Sequence, residues 1–131
     1  MSQENVETVC SAYEHLNRGD VEGLVGLCDD DFLIDMSERV FNPATYRGCE
    51  GIRRFFDGVK DLWETYRWDV TETLVAGDVV VAMIHCEGRG REGIRVDWDV
   101  AWLWTFRQQT PVSLRLYRDP TRALEAAGLR E

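Results

Sequence analysis

The stretch IRVDWDVAWLWTF, residues 94–106, alternates over thirteen positions. Its even positions are apolar throughout: Ile94, Val96, Trp98, Val100, Trp102, Trp104 and Phe106. Its odd positions begin Arg95, Asp97 and Asp99, then soften to Ala101, Leu103 and Thr105. Successive side chains of an extended chain point to opposite faces, so this period of two predicts a strand with one buried face. An ordinary strand has about 5–6 residues. A strand twice that length must follow the twist of its sheet, which places it centrally in a curved sheet with a concave side to fill. Three indoles on that side either fill it or line a pocket.

The flanking sequence reads consistently with such a sheet. Residues 67–75 and 79–87 are strands joined by the Ala76-Gly77-Asp78 turn, and GRGREG, 88–93, turns into the long strand. Residues 108–111 make another turn into a strand over 112–118. Upstream, Val6, Val9, Cys10, Tyr13 and Leu16 recur at steps of three and four, the spacing of one helix face, and the helix stops at Asn17-Arg18-Gly19. Asp20 caps a shorter helix over 21–28 that turns Leu24, Leu27 and Cys28 inward and carries Gly23 and Gly26 where another element approaches closely. Residues 32–36 form a short strand, and 37–48 a polar loop with an Asn42-Pro43 turn and two aromatics, Phe41 and Tyr46. Residues 50–63 form a third helix with Ile52, Phe55, Phe56, Val59, Leu62 and Trp63 on one face. Asp119-Pro120 opens a last helix that runs through Ala127 and closes at Gly128. Helices and one short strand followed by a four-stranded meander predict a single α+β domain over 1–131, an antiparallel curved sheet packed on one face against helices to make a cone.

Composition narrows the function classes. With 131 residues, 44% of them hydrophobic, the chain can build one real core. Fifteen Lys and Arg against twenty-four Asp and Glu give a net charge of -9, which works against nucleic-acid and anionic-membrane partners. The opening MSQENVETVCSAYEHL has neither a basic nor a continuously apolar region, so a cytoplasmic protein is expected. Cys10, Cys28, Cys49 and Cys86 are too far apart for a ligand pair and are expected as reduced, mostly buried thiols. With His15 and His85 as the only histidines, and at no diagnostic spacing, neither a metal nor another cofactor is expected.

Five segments carry a family resemblance: LNRGDVEGLVGLCDDDF at the first helix junction, NPATYRGCEGIRRFF entering the third helix, AGDVVV at the hairpin, WTFR in the long strand, and YRDPTRALEAAGL at the end. Through them the chain resembles the SnoaL-like branch of the nuclear transport factor 2-like superfamily, a cone fold shared with ketosteroid isomerases, polyketide cyclases and limonene epoxide hydrolases. The resemblance implies a cavity between helices and sheet. Aligned through Asn17-Arg18-Gly19-Asp20, the catalytic aspartate of ketosteroid isomerases falls on Asp35 and a pocket aromatic on Phe55. The isomerase oxyanion-hole tyrosine falls on Ala12 and its protonated aspartate on Trp102, which departs from isomerase chemistry. The last-strand aspartate of the epoxide hydrolases falls on Leu116, and the histidine frequent in SnoaL-type relatives falls on Trp102.

Asp35, in the apolar run Phe32-Leu33-Ile34-Asp35-Met36, is therefore the candidate catalytic residue. Facing a cavity, it would be desolvated into a stronger base; facing away, it would tie down the following loop. Alternation alone does not assign the face of His85, which reads either as an outward group in a cross-strand pair with Asp97 or Asp99 or as a pocket acid/base; His15 reads as a helix-flank group, Tyr13 as core, and Arg53-Arg54 as a solvated face. Ala12, Tyr13, Phe55, Ile84, Trp98, Trp102, Leu114 and Leu116 are the candidate pocket lining, suited to a small, flat, hydrophobic molecule. The expected function is binding of such a molecule, with cofactor-independent isomerase-, cyclase- or hydratase-like acid/base chemistry at Asp35. The alternatives are a binding module without turnover and an interaction protein whose cone is filled. A homodimer through the outer sheet face is expected.

Overall fold

The computed structural model describes residues 2–39 and 43–129, so Phe41 and Asn42 of the expected turn lie outside the described residues. The chain runs α1 (Ser2–Arg18), α2 (Val21–Leu27), β1 (Leu33–Met36), β2 (Ala44–Arg47), α3 (Gly48–Leu62), β3 (Thr65–Ala76), β4 (Val79–Arg89), β5 (Arg95–Arg107), β6 (Thr110–Tyr117) and α4 (Pro120–Ala126). Apolar spacing winds the larger helices. α1 buries Val9, Ala12, Tyr13 and Leu16, whereas Cys10 is exposed, because the buried stripe passes through Ala12 instead. α3 buries Ile52, Phe55, Phe56 and Val59, while Leu62 at its last turn faces solvent. Between α1 and α2, Asp20 accepts the Gly23 N–H at 3.0 Å and lies 3.0 Å from His15 Nδ1. A side chain at position 23 would strike the His15 ring, so close approach explains Gly23, but Gly26 has nothing near it.

The six strands form one curved, unclosed sheet, in the order β2-β1-β6-β5-β4-β3. β3 to β6 are the expected antiparallel meander. Two features differ from the sequence reading. β2 lies within the segment read as a loop and pairs antiparallel with β1, from Leu33 opposite Arg47 to Met36 opposite Ala44. At four residues, none of them fully buried, it has no period to recognise. It is backed by α3, where a Cβ on Gly51 would come within 2.8 Å of the Tyr46 carbonyl carbon. The second difference is that β1 pairs parallel with β6, Ile34 opposite Leu114, so the sheet is mixed.

α1 and α3 pack on the inner face and α2 packs against both of them, as expected for helices on one side of a cone. α4 instead packs on the outer face, where Ala123 meets Val81, Ala101 and Tyr117. The small Ala101 at an odd position of β5 is what lets a helix settle there. α4 therefore occupies part of the surface expected for a homodimer, and Asp69, His85, Glu87, Asp97 and Asp99, on the same alternation, make the rest strongly charged. Burial along β5 is also shorter than its alternation suggests. Ile94 and Val96 are 65% and 45% exposed, and inward packing begins at Trp98. Gly88 proves to be a strand residue rather than part of the turn. The Trp63 ring lies 2.7 Å from where its Cβ would sit and stacks on Trp98, with centroids 5.7 Å apart.

Among the described residues, the non-glycine positions with positive φ lie in the β5–β6 turn. Gln108 and Gln109 have φ of 51° and 71°, the left-handed conformation demanded by a two-residue hairpin turn, which usually recruits Asn-Gly. Pro111, lacking an N–H, is accommodated in β6 by a register shift beside Phe106, whose own N–H turns to the Asp78 carbonyl at 2.8 Å. Replacing the pair with Gln108→Asn and Gln109→Gly should stabilise the protein by about 1 kcal/mol, read as a higher urea midpoint at unchanged m-value.

Candidate binding cone

Trp102 sits mid-strand on the inner face of β5, opposite Ala82 of β4 and Leu116 of β6. Its ring meets those of Tyr13, Trp68 and Phe55, at centroid distances of 5.3, 5.8 and 6.4 Å. Two residues on, Trp104 meets Tyr13 edge-on at 5.7 Å and Phe32 at 6.0 Å. Ala12, Tyr13, Phe55, Ile84, Trp102, Leu114 and Leu116 all join one buried cluster. Trp98 stands apart at its margin, half-buried under Trp63. Trp68 and Trp104 belong to the group although neither was among the candidate pocket residues. The signal for Trp68 was the alternation Tyr66-Trp68-Val70, masked by its charged neighbours Arg67 and Asp69.

The rings are closely packed, with Trp102 3% and Phe55 1% exposed, so in this conformation side chains occupy the cone. Its polar atoms are few. Trp104 Nε1 donates to the Tyr13 hydroxyl at 3.1 Å. Burial pushes the Tyr13 pKa well above its usual value, so the phenol is neutral and keeps its proton for donation. The Cys86 thiol, pushed up to about 12 by burial, is neutral too. Trp102 Nε1 is buried with no hydrogen-bond partner among the described residues. An unmet buried donor costs about 1–3 kcal/mol, so this indole N–H is poised for an acceptor. At the rim, the Arg39 guanidinium lies 5.3 Å above the Phe55 ring and donates to the Tyr46 hydroxyl at 3.4 Å, a placement that no sequence pattern announced.

Asp35 is not among the side chains that meet in the cone. Alternation along β1 turns Ile34 and Met36 inward and Asp35 to the other face, beside Arg115 at 3.8 Å. Its carboxylate accepts the Ser37 N–H at 3.0 Å, the loop-tying role open to it from sequence. Partial burial pushes its pKa up, but the Ser37 hydrogen bonds and the Arg115 charge outweigh this and hold it below the usual value. Asp35 is thus an ionised partner of Arg115. His85 lies opposite Asp99, with Nδ1 2.8 Å from the carboxylate oxygen, a cross-strand pair on the outer face. Among the described buried residues the polar one is Asn5, so no buried carboxylate or imidazole is found within that set.

Residues 9–110 match the family model of the SnoaL-like domain. No curated protein matches the chain by sequence. Solved structures match its fold along nearly the whole length. The structure of TerC co-crystallised with polyporic acid is 21% identical, with 95% of this chain and 98% of that one aligned at a TM-score of 0.78. A Mycobacterium tuberculosis protein in complex with estradiol-17β-hemisuccinate is 18% identical, over 91% of this chain and 95% of that one, at 0.77. A Catenulispora acidiphila protein with a ketosteroid isomerase-like fold, in complex with trimethylamine, is 21% identical over 94% and 93%, at 0.76.

The outer-face pair makes a pH-dependent contribution to stability. The Asp99 hydrogen bond raises the His85 pKa and, with the charges of Asp99, Asp97 and Glu87, outweighs the opposing effect of desolvation. A raised folded-state pKa stabilises fully below the unfolded value of about 6.5 and loses that contribution as pH climbs through the folded one. In a histidine NMR titration, His85 should therefore titrate above its ordinary value of about 6.5, and Asp99→Asn should bring it back down.

Proposed function

Because the chain belongs to the family of SnoaL-like domains, we propose that it binds a small, flat, mainly apolar molecule within the cone, with a carbonyl or other acceptor of that molecule on the Trp102 N–H. The buried, unpartnered Trp102 Nε1 carries this reading. The site combines an apolar aromatic wall with one unmet donor and a neutral tyrosine beside it, the composition that orients an otherwise greasy ligand. Tyr13 already accepts from Trp104, which polarises its own O–H and makes it a better second donor. Small-molecule complexes of proteins sharing the fold, one with an estradiol derivative, support the same class of ligand.

Binding without turnover fits the described groups better than catalysis. Proton abstraction needs a base whose pKa lies near the working pH. The titratable groups packed in the cone, Tyr13 and Cys86, are both held neutral. Asp35 lies beside Arg115 instead. Since the rings fill the cone, entry of a ligand requires some of them to swing aside, and the apolar surface that the ligand covers again offsets the ring packing given up.

Two isosteric probes separate the hydrogen bond from simple apolar burial. The protein should bind 2-acetylnaphthalene about three- to tenfold more tightly than 2-isopropenylnaphthalene, by tryptophan fluorescence titration. Trp102→Phe, which keeps a ring and removes the N–H, should abolish that preference. Saturable binding with an undiminished ketone preference in the variant would remove Trp102 from the site.

A further inference from the structure

The C-termini of α1 and α3 converge with the start of β3 and the β4–β5 turn around a cleft of about 530 Å³. Its lining includes Arg18, Lys60 and Arg91, with Glu64 as the carboxylate among them. Three cations around one cleft stand out in a chain of net charge -9. None of the three forms a salt bridge among the described residues. Arg91 is held in place by a hydrogen bond from its guanidinium to the Lys60 carbonyl at 3.2 Å, which satisfies the end of α3 and leaves the remaining guanidinium donors free. The Tyr66 hydroxyl and the Lys60 stem flank Gly19, at 3.5 and 3.9 Å from the position a Cβ would take, ordinary van der Waals contact at the edge of the cleft.

The cleft abuts the aromatic interior through ring contacts. Tyr66 lines it and lies 4.9 Å from Trp68, and Trp68 lies 5.8 Å from Trp102, ring centre to ring centre. Two ring contacts thus lead from surface cations to the buried unmet donor. Asn17 fixes this path, since its side-chain amide donates to the Trp68 carbonyl and accepts the Trp68 N–H, both at 2.8 Å.

We propose that this cleft holds the anionic end of the ligand, so that the cone's ligand is an amphiphilic organic acid: a flat apolar body directed past Trp68 toward Trp102 and a carboxylate, sulfate or phosphate among Arg18, Lys60 and Arg91. This rests on the binding reading above and narrows its ligand class. A neutral ligand of the same shape gains nothing from the cleft, whereas an acid gains attraction that added salt screens. Three lining cations face one lining carboxylate, Glu64, with Arg18 also acting on the nearby Asp20 carboxylate.

The test compares 4-(2-naphthyl)butyrate with its methyl ester by titration calorimetry, in the full chain and in Lys60→Gln/Arg91→Gln. Arg95→Gln, on the outer face of the sheet, controls for loss of a positive charge away from the cleft. The wild-type protein should prefer the acid by roughly tenfold at low salt, and the double variant should lose that preference while binding the ester as before. Arg95→Gln should leave it intact. Equal affinity for acid and ester in the wild-type protein overturns the proposal, as does a preference that survives in the double variant. If both probes bind alike and Trp102→Phe changes ketone binding, the cone reading stands and the anionic cleft falls. If the acid preference depends on Lys60 and Arg91 but Trp102→Phe changes nothing, the cleft stands without the indole contact. Inorganic sulfate that displaces the acid but not the ester supports the charge recognition directly.

Discussion

The contact between Tyr13 of α1 and the paired indoles Trp102 and Trp104 of β5 is the joint on which the cone depends. One phenol touches both rings and accepts the Trp104 N–H at 3.1 Å, tying the first helix to the middle of the longest strand. Aromatic pairs of this kind contribute about 0.5–1.5 kcal/mol beyond the area they bury. With α1 held there, Asn17 at its end reaches the β3 backbone and sets Trp68 against Trp102. α3 completes the closure by bringing Phe55 to the same ring. The same contacts that close the core leave the Trp102 N–H without a partner among the described residues.

That unmet atom distinguishes this cone from a simple packed interior. Trp104 and Trp102 lie on one face of one strand, two residues apart, with similar burial. Their N–H groups nevertheless meet different fates, because Tyr13 has one oxygen suitably placed and gives it to Trp104. Charge is sorted just as sharply. Asp35, Arg115, His85 and Asp99 pair on the outer face, while the groups inside are neutral at physiological pH.

Much of the fold was legible. The alternation over 94–106, the helical spacing of α1 and α3, and the turn residues around Gly77 and Gly128 all mark their elements, because a buried face repeats with the geometry of its backbone. β2 was illegible because four residues held by backbone pairing need no apolar period. The parallel β1–β6 pair and the outer-face seat of α4 were hidden for a related reason: they join segments about eighty residues or a whole layer apart. Of the candidate pocket residues, all but Trp98 meet in one cluster, whereas Asp35 faces the other way. A single short strand offers too few residues for alternation to decide its inward face.

The sequence by itself determined that this chain builds a long, aromatic, one-sided strand in an α+β cone, since strand period and helix period depend only on local backbone geometry. It also determined an acidic exterior. Only the tertiary structure decided which indole would be satisfied and which left waiting, which face Asp35 would take, and where Arg18, Lys60 and Arg91 would gather. Those outcomes turn on distances between residues remote in the chain, and a hydrogen bond or a charge cluster exists only when folding has brought its members within a few ångströms.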